Sequence, residues 1–129
     1  QLAGELGLPF GFASHFAPQH LDAALSIYRQ MFTPSSQLAA PHAMVGVNVI
    51  AGESDAEARR LATSQQMSFA DFVRGARRPI QPPIDDIETY WSEAEKAQAS
   101  GMLSCSVVGS AGTVRRSVRM AAITRRSRR

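Results

Sequence analysis

Leu8-Pro9-Phe10-Gly11-Phe12-Ala13-Ser14, followed at a distance by Ala43-Met44-Val45-Gly46-Val47-Asn48-Val49-Ile50-Ala51, is the pair of segments on which the fold turns. Phe10 to Ala13 and Met44 to Ile50 are nearly continuous in apolar residues, the composition of parallel strands covered on both faces. Between them, Leu21, Ala24, Leu25, Tyr28, Met31 and Phe32 recur at helical spacing behind Pro18, which suits a first helical turn. That spacing predicts a helix over 18–32, with those side chains facing the sheet. Two strands joined by a helical crossover form a βαβ unit, so strands 8–14 and 43–51 are expected to be parallel and adjacent.

Outward from this unit the signals continue. Residues 1–7 are helix-compatible, with Gly7 as the residue past the helix end, Leu8 as its apolar follower and Pro9 blocking continuation. Ser54-Asp55-Ala56-Glu57 is a capping box, and the helix it opens is expected to run to about Arg74 and close at Gly75. Residues 76–91 carry Pro79, Pro82 and Pro83 and read as a long surface excursion of the lid, binding-loop or mobile kind. Ser92-Glu93-Ala94-Glu95 opens a second, shorter helix ending near Gly101. Residues 105–108 read as a short strand or extended loop, and 109–114 as a turn entering a last helix capped by Ser110. The order is that of an α/β chain, a partial (β/α)8 TIM barrel with parallel strands and crossover helices. A complete barrel takes about 250 residues and this chain has 129.

Charge divides the chain. Residues 1–114 hold seven basic and eleven acidic residues, a net of −4; residues 115–129 hold seven arginines and no acid, a net of +7. The first part is a mildly acidic globular segment. The second is an Arg-rich tail, expected to be solvated and disordered, with nucleic acid or an acidic surface as its alternative partner. Arg115, Arg116, Arg119, Arg125, Arg126, Arg128 and Arg129 have no interleaved aromatics, so base stacking is not supported. No apolar run approaches the ~20 residues of a membrane helix, and no signal peptide is readable. A single cysteine, Cys105, excludes an internal disulfide and fits a reducing, cytoplasmic compartment.

Ser14-His15 at the carboxyl end of the first strand is the one site-like pair, because barrel folds carry their chemistry at that end. Such a histidine can donate to a bound ring or anion, or act as acid or base; the commoner role at a strand–loop junction is to bond nearby backbone. His20 falls in a helix's first turn and His42 just before a strand, and neither HxH nor HxxxH spacing occurs, so no metal site is expected. Cys105 reads as a buried inert thiol. Asn48 either points at a ligand or, the commoner case, pairs with a polar neighbour. Asp85, Asp86 and Glu88 read as a solvated acidic loop, and Trp91 as a staple for the following helix rather than a cofactor contact.

The run from Gln1 through Leu8-Pro9-Phe10-Gly11-Phe12-Ala13-Ser14-His15-Phe16 resembles the helix–Gly–Leu–Pro–strand segment of the bacterial-luciferase-like, flavin-dependent monooxygenases. Its Phe-Ala-Ser-His-Phe sequence is similar to the signature of the alkanal monooxygenase-like branch. Met44-Val45-Gly46-Val47-Asn48-Val49, the Ser-Asp-Ala-Glu-Ala helix start, and Val107-Val108-Gly109-Ser110 with Thr113-Val114 add to the resemblance, which covers residues 1 to about 115.

The resemblance implies a (β/α)8 barrel using reduced FMN and O2 to oxidise a small organic substrate such as an aldehyde. It implies that Ser14 and His15 line the flavin side, that Phe16 lies by the substrate space, and that 76–91 is the family's variable segment over the barrel mouth. No catalytic residue is singled out. Two departures stand out. The family's Ser-rich turn, which helps hold the FMN phosphate, precedes the position of Gln1. An Arg-rich stretch over 115–129 stands where the family has an amphipathic helix and an acidic Gly-Ala-Asp strand; a reading-frame change would produce such a switch. The resemblance thus implies a C-terminal-half fragment, inactive alone and prone to self-association through uncovered strand edges and apolar faces.

Overall fold

The computed structural model describes the backbone of residues 1–126 and the side chains as far as Val118. The chain divides into two compact units, Gln1–Val47 and Asn48–Arg129.

The first unit runs α1 (Leu2–Glu5), β1 (Phe10–Phe12), a 3₁₀ turn (Pro18–His20), α2 (Leu21–Gln30) and β2 (Ala43–Val45). Helix α1 ends as its sequence dictates. Gly7 takes φ of +63°, its N–H donates to Gly4 O at 3.1 Å, and the N–H of Leu8 donates to Ala3 O at 2.8 Å. This pair of bonds satisfies carbonyls that a helix end otherwise leaves open. Strands β1 and β2 are parallel, with Phe10 opposite Ala43, Gly11 opposite Met44 and Phe12 opposite Val45. They are the predicted pair, joined by the predicted crossover.

Tyr28 is the centre of this unit. Phe10 stacks on its ring at 5.1 Å and Phe32 meets it edge-on at 5.9 Å. Its hydroxyl accepts the N–H of His42 at 3.0 Å and lies 2.9 Å from Leu8 O and 3.2 Å from His42 O. One buried phenol therefore ties together the chain entering β1 and the chain entering β2. Of the helix face expected to turn inward, Leu25 and Tyr28 are buried; Met31 is exposed, because it falls at the helix's C-terminal cap.

The predicted strand over 43–51 is two strands. β2 ends at Val45, and β3 (Asn48–Gly52) belongs to the second unit. The interruption is at Gly46, a residue type that inside a strand pattern marks a bulge or a close approach of other groups. Here the approaching group is the His15 ring.

The second unit runs β3, α3 (Asp55–Val73), a 3₁₀ turn (Ile87–Thr89), α4 (Glu93–Leu103), β4 (Ser106–Ser110) and α5 (Ala111–Arg126). β3 and β4 pair in parallel from Asn48 opposite Ser106 to Gly52 opposite Ser110. Helix α3 folds back onto β3, and a side chain at Gly52 would meet the backbone nitrogen of Ala58 at 2.7 Å. Ala58, Ala62, Met67 and Ala70 are buried along α3, with Ala99 buried on α4. Burying the whole Met67 side chain contributes about 2 kcal/mol.

Both predicted helix starts are capped. Ser54 accepts from the N–H of Glu57 at 3.1 Å, but the Glu57 carboxylate bonds the N–H of Glu53 at 2.6 Å rather than that of Ser54. At Ser92 the box is complete. Gly75, at φ of +71°, closes α3, with the Ala76 N–H on Asp71 O at 2.8 Å. Helix α5 continues to Arg126, through most of the stretch expected to be a solvated tail; residues 127–129 lie outside the described residues.

The Pro-rich excursion is bonded along α3. Thr63 Oγ1 accepts the N–H of Ile84 at 2.9 Å, and Arg60 pairs with Asp85 at 2.7 Å. Asp71, buried near the end of α3, accepts the Tyr90 hydroxyl at 2.9 Å and the Gln81 amide at 3.1 Å. Arg74 lies over the Tyr90 ring, donates to Tyr90 O, and grips Glu95 through two bonds of 2.6 and 3.0 Å. The acidic residues of the excursion have partners too: Asp86 caps the 3₁₀ turn, and Glu88 accepts from Lys96 at 2.8 Å and Trp91 at 3.2 Å.

Glu95 gives this junction an acid limit. The Arg74 guanidinium, with the Ser92 N–H and hydroxyl, lowers its carboxyl from 4.5 to about 2. A lowered carboxylate stabilises the fold above its unfolded value and loses that contribution as pH falls through the folded one. The tie should therefore persist below pH 4.5 and weaken as pH approaches about 2. An NMR titration of the Glu95 carboxyl carbon should show this low midpoint, and Arg74→Gln should raise it toward the ordinary glutamate range. A midpoint unmoved by that change would count against the pairing.

Candidate functional site

The chain leaves β1 at Phe12 and turns tightly. The N–H of Ser14 donates to Phe12 O at 2.9 Å, and the N–H of Phe16 to Ala13 O at 2.9 Å. Pro18 then opens the 3₁₀ turn that leads into α2. This turn places Ser14, His15 and Phe16 side by side at the carboxyl end of a parallel strand.

Each residue meets a different environment. Ser14 is 1% exposed, and its hydroxyl donates to the carbonyl of Gly46, which ties the turn to the residue following β2. Its one proton is thus committed to backbone, so Ser14 shapes the turn. His15 is half-buried, its ring 4.4 Å from that of Phe16 and tilted by 46°. Phe16 is 57% exposed. The Gly46 N–H donates to Phe12 O at 3.3 Å, so one glycine bonds the end of β1 through its amide and the turn through its carbonyl, with the His15 ring where its side chain would be.

An imidazole that bears both a donor and an acceptor, beside an exposed aromatic face, can hold a flat heteroaromatic ring and hydrogen-bond its edge. That suits the ring end of a flavin. The phosphate end asks for backbone amides and cations. Gln1–Val47 contains one such cation, Arg29, on the exposed part of α2. The turn fits the ring end and not the phosphate end.

His20 is exposed in the 3₁₀ turn, and exposed His42 uses its backbone groups to meet Tyr28. Asn48 and Cys105 belong to the second unit, where the Asn48 N–H donates to Cys105 O at 3.2 Å. Among the described residues no group of three or more His, Cys, Asp or Glu is placed to hold a metal ion, and no helix is long and apolar enough to cross a membrane. Arg115 and Arg116 are exposed on α5; the side chains of Arg119, Arg125 and Arg126, and all of Arg128 and Arg129, lie outside the described residues.

Gly46 and Asp71 are the residues that sequence reasoning passed over. Both had a signal: a glycine inside a β-branched run, and an acid four residues after buried Met67 on the inward stripe of α3.

No family model matches the chain. The chain is 49% identical over 109 residues to the uncharacterized protein YvbT of Bacillus subtilis, covering 84% of this chain and 32% of that protein. It is 46% identical over 115 residues to a luciferase-like monooxygenase of Escherichia coli K12, covering 89% of this chain and 34% of that one. The chain thus spans about a third of the length of the curated relatives it matches. In fold it is similar to the crystal structure of apo-MsnO8, with a TM-score of 0.56 and 22% identity over 91% of this chain and 44% of the other. A mixed α/β segment with parallel strands, similar in sequence to a third of a luciferase-like monooxygenase, supports the luciferase-like family.

Proposed function

We propose that this chain is a segment of a flavin-dependent monooxygenase barrel of the alkanal monooxygenase-like branch. The turn over 13–16 is its flavin-side wall. The observation that carries the reading is the seating of this turn: a buried serine locks it, and His15 and Phe16 are presented together at a parallel strand's carboxyl end. Similarity to a luciferase-like monooxygenase supports the reaction class. Reduced FMN and O2 supply the oxidising chemistry when bound. Of this chain's residues, Ser14 holds the turn, His15 hydrogen-bonds the edge of the ring or its substrate, and Phe16 offers an apolar surface to a small organic molecule such as an aldehyde.

The 129 residues alone bind FMN weakly and turn over nothing, because the turn serves the ring end only. A fluorescence titration of FMN should give saturable binding weaker than micromolar, weakened about tenfold more (~1.4 kcal/mol) by His15→Ala. Micromolar affinity would overturn the incompleteness of the site. Affinity indifferent to His15→Ala would overturn the site itself.

The isolated chain should also self-associate. Among the described residues each sheet pairs only two strands, and Met44 and Val49 are exposed on theirs. Sedimentation that finds a monomer across the accessible concentration range would refute this.

A further inference from the structure

Gly46 does more than lack a side chain. A Cβ built on it would lie 2.5 Å from His15 Nδ1, 3.3 Å from Cε1 and 3.6 Å from Cγ, and these are the three nearest atoms. Because the two ring carbons flanking Nδ1 are both farther by most of a bond length, the glycine meets the ring edge-on. It lies along the in-plane direction in which Nδ1 carries either a proton or a lone pair, not over the ring face. A proton on Nδ1 would point at the glycine's α-hydrogen. A lone pair there meets it without conflict. A neutral imidazole has one protonated and one unprotonated nitrogen.

We propose that Gly46 is the positioning residue of the candidate site: it seats the His15 ring and fixes its tautomer, with Nδ1 unprotonated against the glycine and the proton on Nε2, offered to a ligand. Two backbone bonds make the seat firm. The Gly46 carbonyl is held by Ser14 and its N–H by Phe12 O, so the glycine cannot retreat from the ring without releasing the turn. Gly46 does not take the left-handed backbone conformation of Gly7 and Gly75, so its backbone accepts an alanine and the ring alone resists one. The value of an Nε2 donor to a flavin or substrate rests on the function proposed above; the seating of the ring does not.

The test is a ¹⁵N-resolved NMR spectrum of the histidine rings in the 129-residue chain, taken at about pH 8, above the ordinary imidazole range. His15 should show only the Nε2–H tautomer. Gly46→Ala should move the His15 ring signals and mix its tautomers while those of His20 and His42 stay. A spectrum with Nδ1 protonated, or His15 signals unmoved in folded Gly46→Ala, overturns the proposal. If Gly46→Ala folds poorly, the melting temperature of the double variant with His15→Ala decides. Removing the ring should recover most of the loss, because the methyl then occupies the vacated slot. A loss of equal size in the His15→Ala background overturns the proposal. FMN affinity indifferent to His15→Ala beside an Nε2–H ring that Gly46→Ala perturbs would remove the flavin reading and leave the seating in place.

Discussion

Asp71→Ala should lower the stability of the protein by about 3 kcal/mol, the largest loss expected of any single truncation outside the apolar core. Asp71 is buried, and three groups converge on it: the Tyr90 hydroxyl at 2.9 Å, the Gln81 amide at 3.1 Å and the Arg74 guanidinium at 3.5 Å. Alanine removes the acceptor and leaves the half-buried Tyr90 hydroxyl without one, while the Gln81 amide keeps only its bond to that hydroxyl at 2.6 Å. Arg74 keeps Glu95, so its share of the loss is small. The remainder falls on the attachment of the Pro-rich excursion to α3. Urea unfolding should show a lower midpoint with an unchanged slope, and Asp71→Asn, which keeps one acceptor oxygen, should recover part of the difference. A loss below about 0.5 kcal/mol would place Asp71 among ordinary surface positions and remove it as the anchor of the excursion.

Tyr28→Phe should cost about 2 kcal/mol although it deletes one atom. The ring stays, with its contacts to Phe10 and Phe32. What goes is the oxygen that accepts the His42 N–H and donates toward Leu8 O. Those backbone groups sit where the chain enters β1 and β2, and phenylalanine leaves them without this partner. Amide hydrogen exchange gives the sharper readout. His42 should lose protection in the variant, while the amides of α3 keep theirs. Unchanged protection at His42 would show that the bond carries no share of the strand pairing.

Both capped helices and both left-handed glycines were readable in the sequence because each rests on neighbours within a few residues, and the parallel pairing of β1 with β2 was readable because a helical crossover between two apolar strands dictates it. Gly7 needs only the chain from Ala3 to Leu8, and Ser92 only Glu95. What could not be read rests on residues far apart in the chain. At the break after Val45, Gly46 faces a ring 31 positions earlier, that of His15. The excursion looked unsupported because its prolines exclude helix, a local fact; its attachments are Thr63, Asp71 and Arg74 on a helix already assigned to packing. At the candidate site, the side-by-side placement of Ser14, His15 and Phe16 was legible as sequence adjacency at a strand end. The commitment of the Ser14 hydroxyl to Gly46 was not, since a carbonyl 32 residues away leaves no mark on local composition.

The spacing of the two strand pairs also sets an order of events during synthesis. Ala43 follows its partner Phe10 by 33 residues, but Ser106 follows its partner Asn48 by 58. At about 5–20 residues per second on the ribosome, β3 waits roughly 3–12 seconds for β4 to be made. Helix α3, capped at both ends by its own neighbours, can sample its helical form within about a microsecond of emerging, long before β4 is made. For those seconds residues 48–52 lack the strand with which they pair. That interval is the one in which a chaperone, or another nascent copy, has access to the backbone of residues 48–52.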